Sequence, residues 1–335
     1  NIIKIIWTDE FNYSIIYHKY RGIMMVVEIK NLVKTYKNGV KALNKLNFQV
    51  REGEIFGLLG PNGSGKTTAI NCLLALLNYE EGDIRVFDQE MKATSYNLKK
   101  DIGLVSQNIA VFTELTVYEN IDYFCGLYIN DKTLRKKLVE EAIDFVSLND
   151  FKKFFPKKLS GGLLRRLHIA CGIAHKPKLI IFDEPTAGVD PQSRNKILEG
   201  IKRLNEEGAT IIYTTHYMEE VEELCDYIII MDKGSVIREG TKLELIDSIK
   251  IGEINEIELN NHSTELIKDI KKLANVLSAV YDNRLLIVKS GKGKSNLIDI
   301  LDLIKKHNLE FIRMHSKLPT LNDVFLEITG KELRD

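Results

Sequence analysis

The sequence lacks a long apolar run. No stretch of its 335 residues reaches eighteen consecutive apolar positions, so no helix of the chain can cross a membrane by itself. It also lacks net charge. Forty-seven basic residues balance forty-seven acidic ones, which removes any global pull toward nucleic acid or anionic lipid. Cysteine is scarce: Cys72, Cys125, Cys171 and Cys225 are scattered, with no CxxC pair. That spacing argues against a zinc site or a disulfide framework. It reads instead as reduced, mostly buried thiols in a cytosolic protein. Residues 1–22 carry Ile-rich patches, but Lys4, Asp9, Glu10 and His18 interrupt them, and no small-residue cleavage site of the signal-peptide kind follows. The first methionines are Met24 and Met25, and regular patterning starts directly after them. Residues 1–24 are therefore expected to be an extension, disordered or not native, outside the working fold. What remains is ordinary for a folded chain: 44% hydrophobic and 28% charged residues, enough to bury a sizeable core.

Apolar patterning gives the coarse layout. Residues 26–32 and 42–50 have strand character, and 54–59 is a short apolar run of the buried-strand kind. A Gly-rich loop follows, then a helix pattern over 66–77, and strands near 83–87 and 102–106. From about 108 to 158 the character changes to helical periodicity, over 118–128 and 134–146, as in a helical insertion. Another helix pattern covers 163–174, and apolar strands follow at 179–182, 210–214 and 227–231. Strands alternating with helices predict an α/β core with a mainly parallel sheet covered on both faces. After about residue 247 the pattern restarts, with strands at 253–259, 277–280, 285–289 and 310–314 and helices at 264–273 and 295–306. This predicts a small C-terminal α+β domain over 248–335, behind a larger unit over 25–247.

Gly60-Pro61-Asn62-Gly63-Ser64-Gly65-Lys66-Thr67 fits GxxxxGK[ST], with a further Thr68, between a predicted strand and a predicted helix. The glycines let several backbone N–H groups converge on one point, and the helix N-terminus adds partial positive charge. Lys66 is expected to reach the β- and γ-phosphates, and the Thr67 hydroxyl to bind Mg²⁺. The apolar run 179–182 ends in Asp183-Glu184, at the strand tip where open α/β sheets bind ligands. A strand ending in two acids is commonplace by itself. Downstream of a phosphate loop, Asp183 becomes a Mg²⁺ ligand through water and Glu184 the general base for an attacking water.

Leu159-Ser160-Gly161-Gly162, with Gly162 lying 21 residues before Asp183, resembles the signature sequence of ABC ATPases. The resemblance implies a P-loop NTPase of ABC type, with the helical insertion over about 108–158. It also implies that Ser160, Gly161 and Gly162 face the γ-phosphate of ATP held by an opposing subunit, so that the chain works as a homodimer or hetero-pair. The remaining members of the family's set are present in order. Tyr36 sits where an aromatic stacks on adenine. Gln107 resembles the glutamine that senses Mg²⁺ and the attacking water. Ala187-Gly188-Val189-Asp190 resembles the loop that crosses to the other subunit. His216 resembles the switch histidine on the γ-phosphate. Singly, Tyr36 and His216 would more often be ordinary structural residues; six features in family order reverse that. Leu163 departs from the Gln that usually follows the signature glycines. Within the family, Gly188-Val189-Asp190-Pro191, Thr215-His216-Tyr217-Met218-Glu219-Glu220 and Pro319-Thr320-Leu321-Asn322-Asp323-Val324-Phe325-Leu326 resemble ATPase subunits of ABC-2-type exporters. Those subunits drive export of drugs, antibiotics, lipids or polysaccharides. The implied partner is a separate transmembrane permease, and the implied location is peripheral, at the cytoplasmic face of the membrane.

An alternative is a soluble ABC ATPase acting on ribosomes or DNA. Ribosome-associated relatives usually carry two nucleotide domains, and chromosome-structural relatives split the motifs across a long coiled coil. Here there is one set, with about 93 residues between Lys66 and Ser160. The clusters Lys152-Lys153, Lys157-Lys158 and Lys271-Lys272 are too short and separated to form a nucleic-acid track. Gly291-Lys292-Gly293-Lys294-Ser295 contains GKS, but Val288 stands where the first glycine of a phosphate loop belongs.

Overall fold

A computed structural model of the chain describes residues 24–261 and 263–330. The expected N-terminal extension, apart from Met24, lies outside the described residues.

Three sheets organise the chain. The first is antiparallel, in the order β2 (Lys41–Arg51), β1 (Met25–Thr35), β4 (Glu81–Val86) and β5 (Gln89–Glu90). The second has six strands: β10 (Ser235–Gly240), β9 (Tyr227–Asp232), β3 (Ile55–Leu59), β8 (Thr210–Thr215), β7 (Leu179–Asp183) and β6 (Ile102–Val105). Its strands run parallel except for β10, which returns along β9. Sequence patterning predicted a mainly parallel sheet, which the second sheet is, while β1, β2 and β4 lie in the antiparallel one. The turn over residues 37–39 joins β1 directly to β2 as a hairpin. A direct hairpin enforces antiparallel pairing, because a parallel pair needs a long crossover. The central strands β3, β7 and β8 are buried at every residue, as expected for strands covered on both faces.

Helices fill the crossovers. α1 (Lys66–Leu73) follows the phosphate loop. It stops four residues short of the predicted end, because Leu74 leaves helical geometry and Ala75 turns to a φ of 51°. After α2 (Tyr96–Lys99), α3 (Val117–Gly126) and α4 (Lys132–Phe145) form the helical insertion. Val117, Ile121 and Cys125 of α3 and Leu138, Val139 and Ile143 of α4 share one core with Leu167 and Ile169 of α5 (Gly161–Ile173). The sequence reading did not place α6 (Pro191–Glu206), α7 (Met218–Leu224) or α8 (Lys242–Asp247).

From Ile251 a third, antiparallel sheet forms in the order β12 (Val276–Asp282), β13 (Leu285–Gly291), β11 (Ile251–Leu259) and β14 (Phe311–Lys317). α9 (Thr264–Ile270) and α10 (Leu297–Lys306) pack on it through Leu266, Ile270, Ile300 and Ile304. α11 (Leu321–Thr329) instead joins Met218 and Val221 of α7 and Leu245 of α8 in a separate cluster. The Leu321 N–H donates to Glu222 at 2.8 Å, which also pairs with Lys242 at 2.9 Å. The GKS-bearing loop between β13 and α10 is structural: the Ser295 hydroxyl donates to Glu253 at 2.8 and 2.9 Å.

Asp323 is the N3 residue of the capping box that opens α11, and it also takes a 2.7 Å hydrogen bond from Lys289. Burial alone would raise its carboxyl pKa; the Lys289 ammonium and the Thr320 N–H outweigh burial and hold it below the usual range. A lowered folded-state value stabilises above the unfolded value, about 3.9, and the gain is lost as pH falls through the lowered value. The urea midpoint of the chain is therefore expected to drop on acidification from about pH 5 to about 3, and Asp323→Asn to flatten part of that drop. An unchanged slope in the variant would assign the acid sensitivity elsewhere.

Candidate active site

The phosphate loop depends on one glycine most sharply. Gly65 has a φ of 107°, and a Cβ there would come within 2.6 Å of the Ala42 carbonyl. No other residue type satisfies both the conformation and the space. The loop hands over to α1, which begins at Lys66 and buries Thr68, Ala69 and Ile70. Tyr36, a residue 40% exposed, reaches back to this helix through a 3.0 Å hydrogen bond with the Thr68 hydroxyl.

Lys66 is buried and donates to the Gly60 carbonyl at 2.7 Å and the Pro61 carbonyl at 3.3 Å. Its ammonium lies 3.3 Å from Glu184 Oε1. Burial pushes the Lys66 pKa below the usual lysine range, and the Glu184 charge pulls it part of the way back. Ser64 in the same loop has a buried hydroxyl with no partner. A buried ammonium and an unused buried hydroxyl beside a helix N-terminus are suited to polyphosphate oxygens.

Glu184 is the meeting point. Only 5% of it is exposed, and its backbone sits at a φ of 49°. Strain of this kind persists where the surroundings over-determine the conformation. Here the Glu184 N–H is held by both the Thr214 carbonyl and the Thr214 hydroxyl, each at 3.1 Å. On the carboxylate, Oε2 accepts from the Gln107 amide at 3.2 Å and lies 3.3 Å from His216 Nδ1. Residues from the segments after β6 and β8 thus converge with Lys66 on one side chain, which directly follows β7. Asp183, at the tip of β7, accepts a 2.5 Å hydrogen bond from the Thr214 hydroxyl. Thr214 therefore orients both acids. Nothing in its type or spacing marks it in the sequence.

Among the described residues no cluster of three His, Cys, Asp or Glu side chains could hold a metal alone. Thr67, Asp183 and Gln107 would supply an incomplete donor set. This fits Mg²⁺, which takes one or two protein ligands and completes its shell with phosphate oxygens and water.

Ser160, Gly161 and Gly162 lie apart from this cluster. Ser160 is exposed and caps α5, its hydroxyl accepting the Leu163 N–H at 3.3 Å. Leu163, the departure from the usual signature, packs against the core of the helical insertion. A Cβ on Gly162 would meet the Ser193 hydroxyl at 2.4 Å, so the start of α5 lies hard against α6. Asp190 caps α6 by accepting the Ser193 N–H at 2.9 Å, and the hydroxyl and N–H of Ser193 hold its carboxyl below the usual aspartate range. Arg165, one turn into α5, is buried and donates to the Ser106 carbonyl at 3.0 Å and the Gln107 carbonyl at 2.9 Å. In the fold it ties the signature helix to the Gln107 segment.

No described helix is long and apolar enough to cross a membrane. Residues 43–187 match the ABC transporter family. Over 313 residues the chain is 37% identical to the linearmycin resistance ATP-binding protein LnrL of Bacillus subtilis, covering 92% of this chain and 100% of that protein. It is 32% identical over 314 residues to the daunorubicin/doxorubicin resistance ATP-binding protein DrrA of Streptomyces peucetius, covering 92% and 94%. Among solved structures, a dimeric post-hydrolysis state of the ATP-binding cassette MJ0796, bound to ADP and Pi, matches with a TM-score of 0.59 at 30% identity, over 64% of this chain and 98% of that one. The chain thus belongs to the ABC transporter family, as an ABC-type ATPase that binds and hydrolyses ATP, and its relatives fit the ABC-2-type exporter subgroup.

Proposed function

We propose that this chain is the ATP-driven subunit of an exporter, working through a separate ABC-2-type transmembrane permease at the cytoplasmic face of the membrane. Residues 25–247 form its ATPase unit and residues 248–335 its C-terminal α+β unit. The observation that carries the reading is the gathering of Lys66, Gln107 and His216 on the Glu184 carboxylate while Ser160 stands exposed and apart. Each chain then holds two incomplete halves of a site. Two subunits arranged head to tail complete both: Tyr36, the phosphate loop and Asp183 on one side of each ATP, Ser160–Gly162 on the other.

In the closed pair, Glu184 accepts a proton from water as the water oxygen bonds to the γ-phosphorus. The bond from that phosphorus to the β–γ bridging oxygen breaks, and the products are ADP and phosphate. Gln107 and His216 fix the water and the γ-phosphate in line. Thr67, Asp183 and Gln107 would hold Mg²⁺, which supplies neutralisation of phosphate charge. Product repulsion reopens the pair, and this opening and closing moves the permease. The helical insertion, with Phe112, Tyr123, Leu127 and Phe154 exposed, is the surface offered to a cytoplasmic segment of that permease.

Capture with tagged Glu184→Gln from solubilised native membranes in ATP tests this reading. A polytopic membrane protein of about six spans is the expected catch, identified by mass spectrometry. Recovery of ribosomal or DNA-associated proteins alone would overturn the transport role and leave the ATPase chemistry.

A further inference from the structure

Beyond the three side chains that meet on the Glu184 carboxylate, another carboxylate is fully enclosed nearby. Glu220, on α7, is 0% exposed. Its Oε1 accepts the Thr186 hydroxyl at 2.6 Å and pairs with Arg194 Nε at 2.8 Å. Its Oε2 accepts the Tyr213 hydroxyl at 2.8 Å and the Thr215 hydroxyl at 2.7 Å. A carboxylate offers about four lone-pair sites, and here four donors occupy them. Glu220 therefore has no capacity left for substrate or metal. Whatever it does, it does through its partners.

Those partners all flank the reacting residues. Thr186 lies two positions after Glu184, and Thr215 immediately precedes His216. The Thr215 hydroxyl donates a hydrogen bond to Glu220 and accepts one from the Tyr217 N–H at 3.0 Å. This closes a small turn with His216 at its apex. The Tyr217 ring lies 4.1 Å from the His216 ring, centroid to centroid. Arg194, besides pairing with Glu220, sits over the other ring of that pair, 5.3 Å from the centroid of Tyr217. Arg194 belongs to α6, the helix that Asp190 caps and that Gly162 touches. A buried ion pair is a poor way to gain stability, since apolar side chains of similar volume usually serve as well. It does fix geometry: one carboxylate with four satisfied partners from separate segments allows one arrangement.

We propose that Glu220 is a positioning residue. Through Thr215 it holds the turn that presents His216 to Glu184, and through Arg194 it ties that turn to the helix opened by Asp190. It rests on the reading that Glu184 and His216 serve hydrolysis. Displacement of α6 when two subunits meet is then passed to His216 by Arg194 and Glu220, so that hydrolysis waits for closure.

The test uses Thr215→Val in the full chain, which keeps the shape and removes the hydroxyl relay. Turnover is expected to fall about 10²-fold, as for a misplacement near 1 Å, with KM for ATP within about threefold of the parent. Thr215→Ser restores the hydroxyl and is expected to recover activity to within about threefold. Combining Thr215→Val with His216→Ala is expected to cost no more than His216→Ala alone, since both act at one point. Arg194→Gln, at a side chain 30% exposed, gives a second route should the Thr215 variant fold poorly; about a tenfold loss and the same non-additivity with His216→Ala are expected. Losses that multiply with His216→Ala, or full turnover in both Thr215→Val and Arg194→Gln, would overturn the proposal. Glu184→Gln measured in parallel separates the two readings: retained turnover there overturns the general-base role, whereas an inactive Glu184→Gln beside fully active Thr215→Val and Arg194→Gln overturns only the positioning role.

Discussion

Replacing Glu184 with Gln is expected to lower ATP turnover by about 10²–10⁴-fold, the range general-base catalysis supplies, while leaving ATP binding intact. Glutamine keeps the shape and an acceptor oxygen, so the Gln107 amide at 3.2 Å retains a partner. The side chain also keeps its place, because the φ of 49° and the two Thr214 hydrogen bonds involve the backbone. What is lost is the charge and the basic lone pair. Without the carboxylate at 3.3 Å, the buried Lys66 ammonium keeps its carbonyl partners and the charge of Asp183, and phosphate takes the place of the lost counter-charge. Affinity for ATP is thus expected to hold or rise, and ATP-bound pairs to accumulate. Single-turnover hydrolysis and size-exclusion chromatography with and without ATP measure both effects. Turnover within about threefold of the parent would remove Glu184 from the chemistry.

Ser160→Arg carries the second large effect, for a different reason. Ser160 is exposed, and its side-chain hydroxyl serves as the cap of α5. Loss of an N-cap costs about 1 kcal/mol, a small fraction of the stability of a folded domain. The variant should therefore fold and bind ATP through its own phosphate loop, to which Ser160 makes no hydrogen bond among the described residues. If Ser160 completes the site of a second subunit, the long cationic side chain blocks closure and removes a donor from the γ-phosphate. Hydrolysis is expected to fall by about 10²–10³-fold, as when one oxyanion donor is lost. In the Glu184→Gln background, Ser160→Arg is also expected to abolish the ATP-dependent pair. Normal turnover in Ser160→Arg would mean that the phosphate-loop cluster works without an opposing subunit.

Much of the site was legible from spacing alone. A phosphate loop is a local device: eight consecutive residues between a strand and a helix contain its physics. Asp183 and Glu184 were legible for a related reason, since a fully apolar run ending in two acids marks where a buried strand surfaces. The helices α6 and α11 were harder. α6 buries only Ile197, Leu198 and Ile201 along sixteen residues, so its apolar stripe is thin and its charged face dominates the pattern. α11 packs on α7 and α8 as well as on Ile251 and Ile254 of the sheet beside it in sequence, a shared destination that no periodicity encodes.

Glu220 marks the clearest divide. In the sequence it stands in the run Glu219-Glu220-Val221-Glu222-Glu223, which resembles a solvated acidic face. In the fold Glu219 is exposed, Glu222 binds α11, and Glu220 has no exposure at all. The sequence by itself determined the phosphate loop, the acid pair, the apolar strands and the order of motifs, because each rests on neighbours a few residues apart. Tertiary structure alone decided that β1, β2 and β4 form a sheet of their own. It alone brought Lys66, Gln107 and His216 to one carboxylate, and left Ser160 outside that cluster. Hydrogen bonds and ion pairs act over about 3 Å, and only the packed chain brings residues scores of positions apart within that reach.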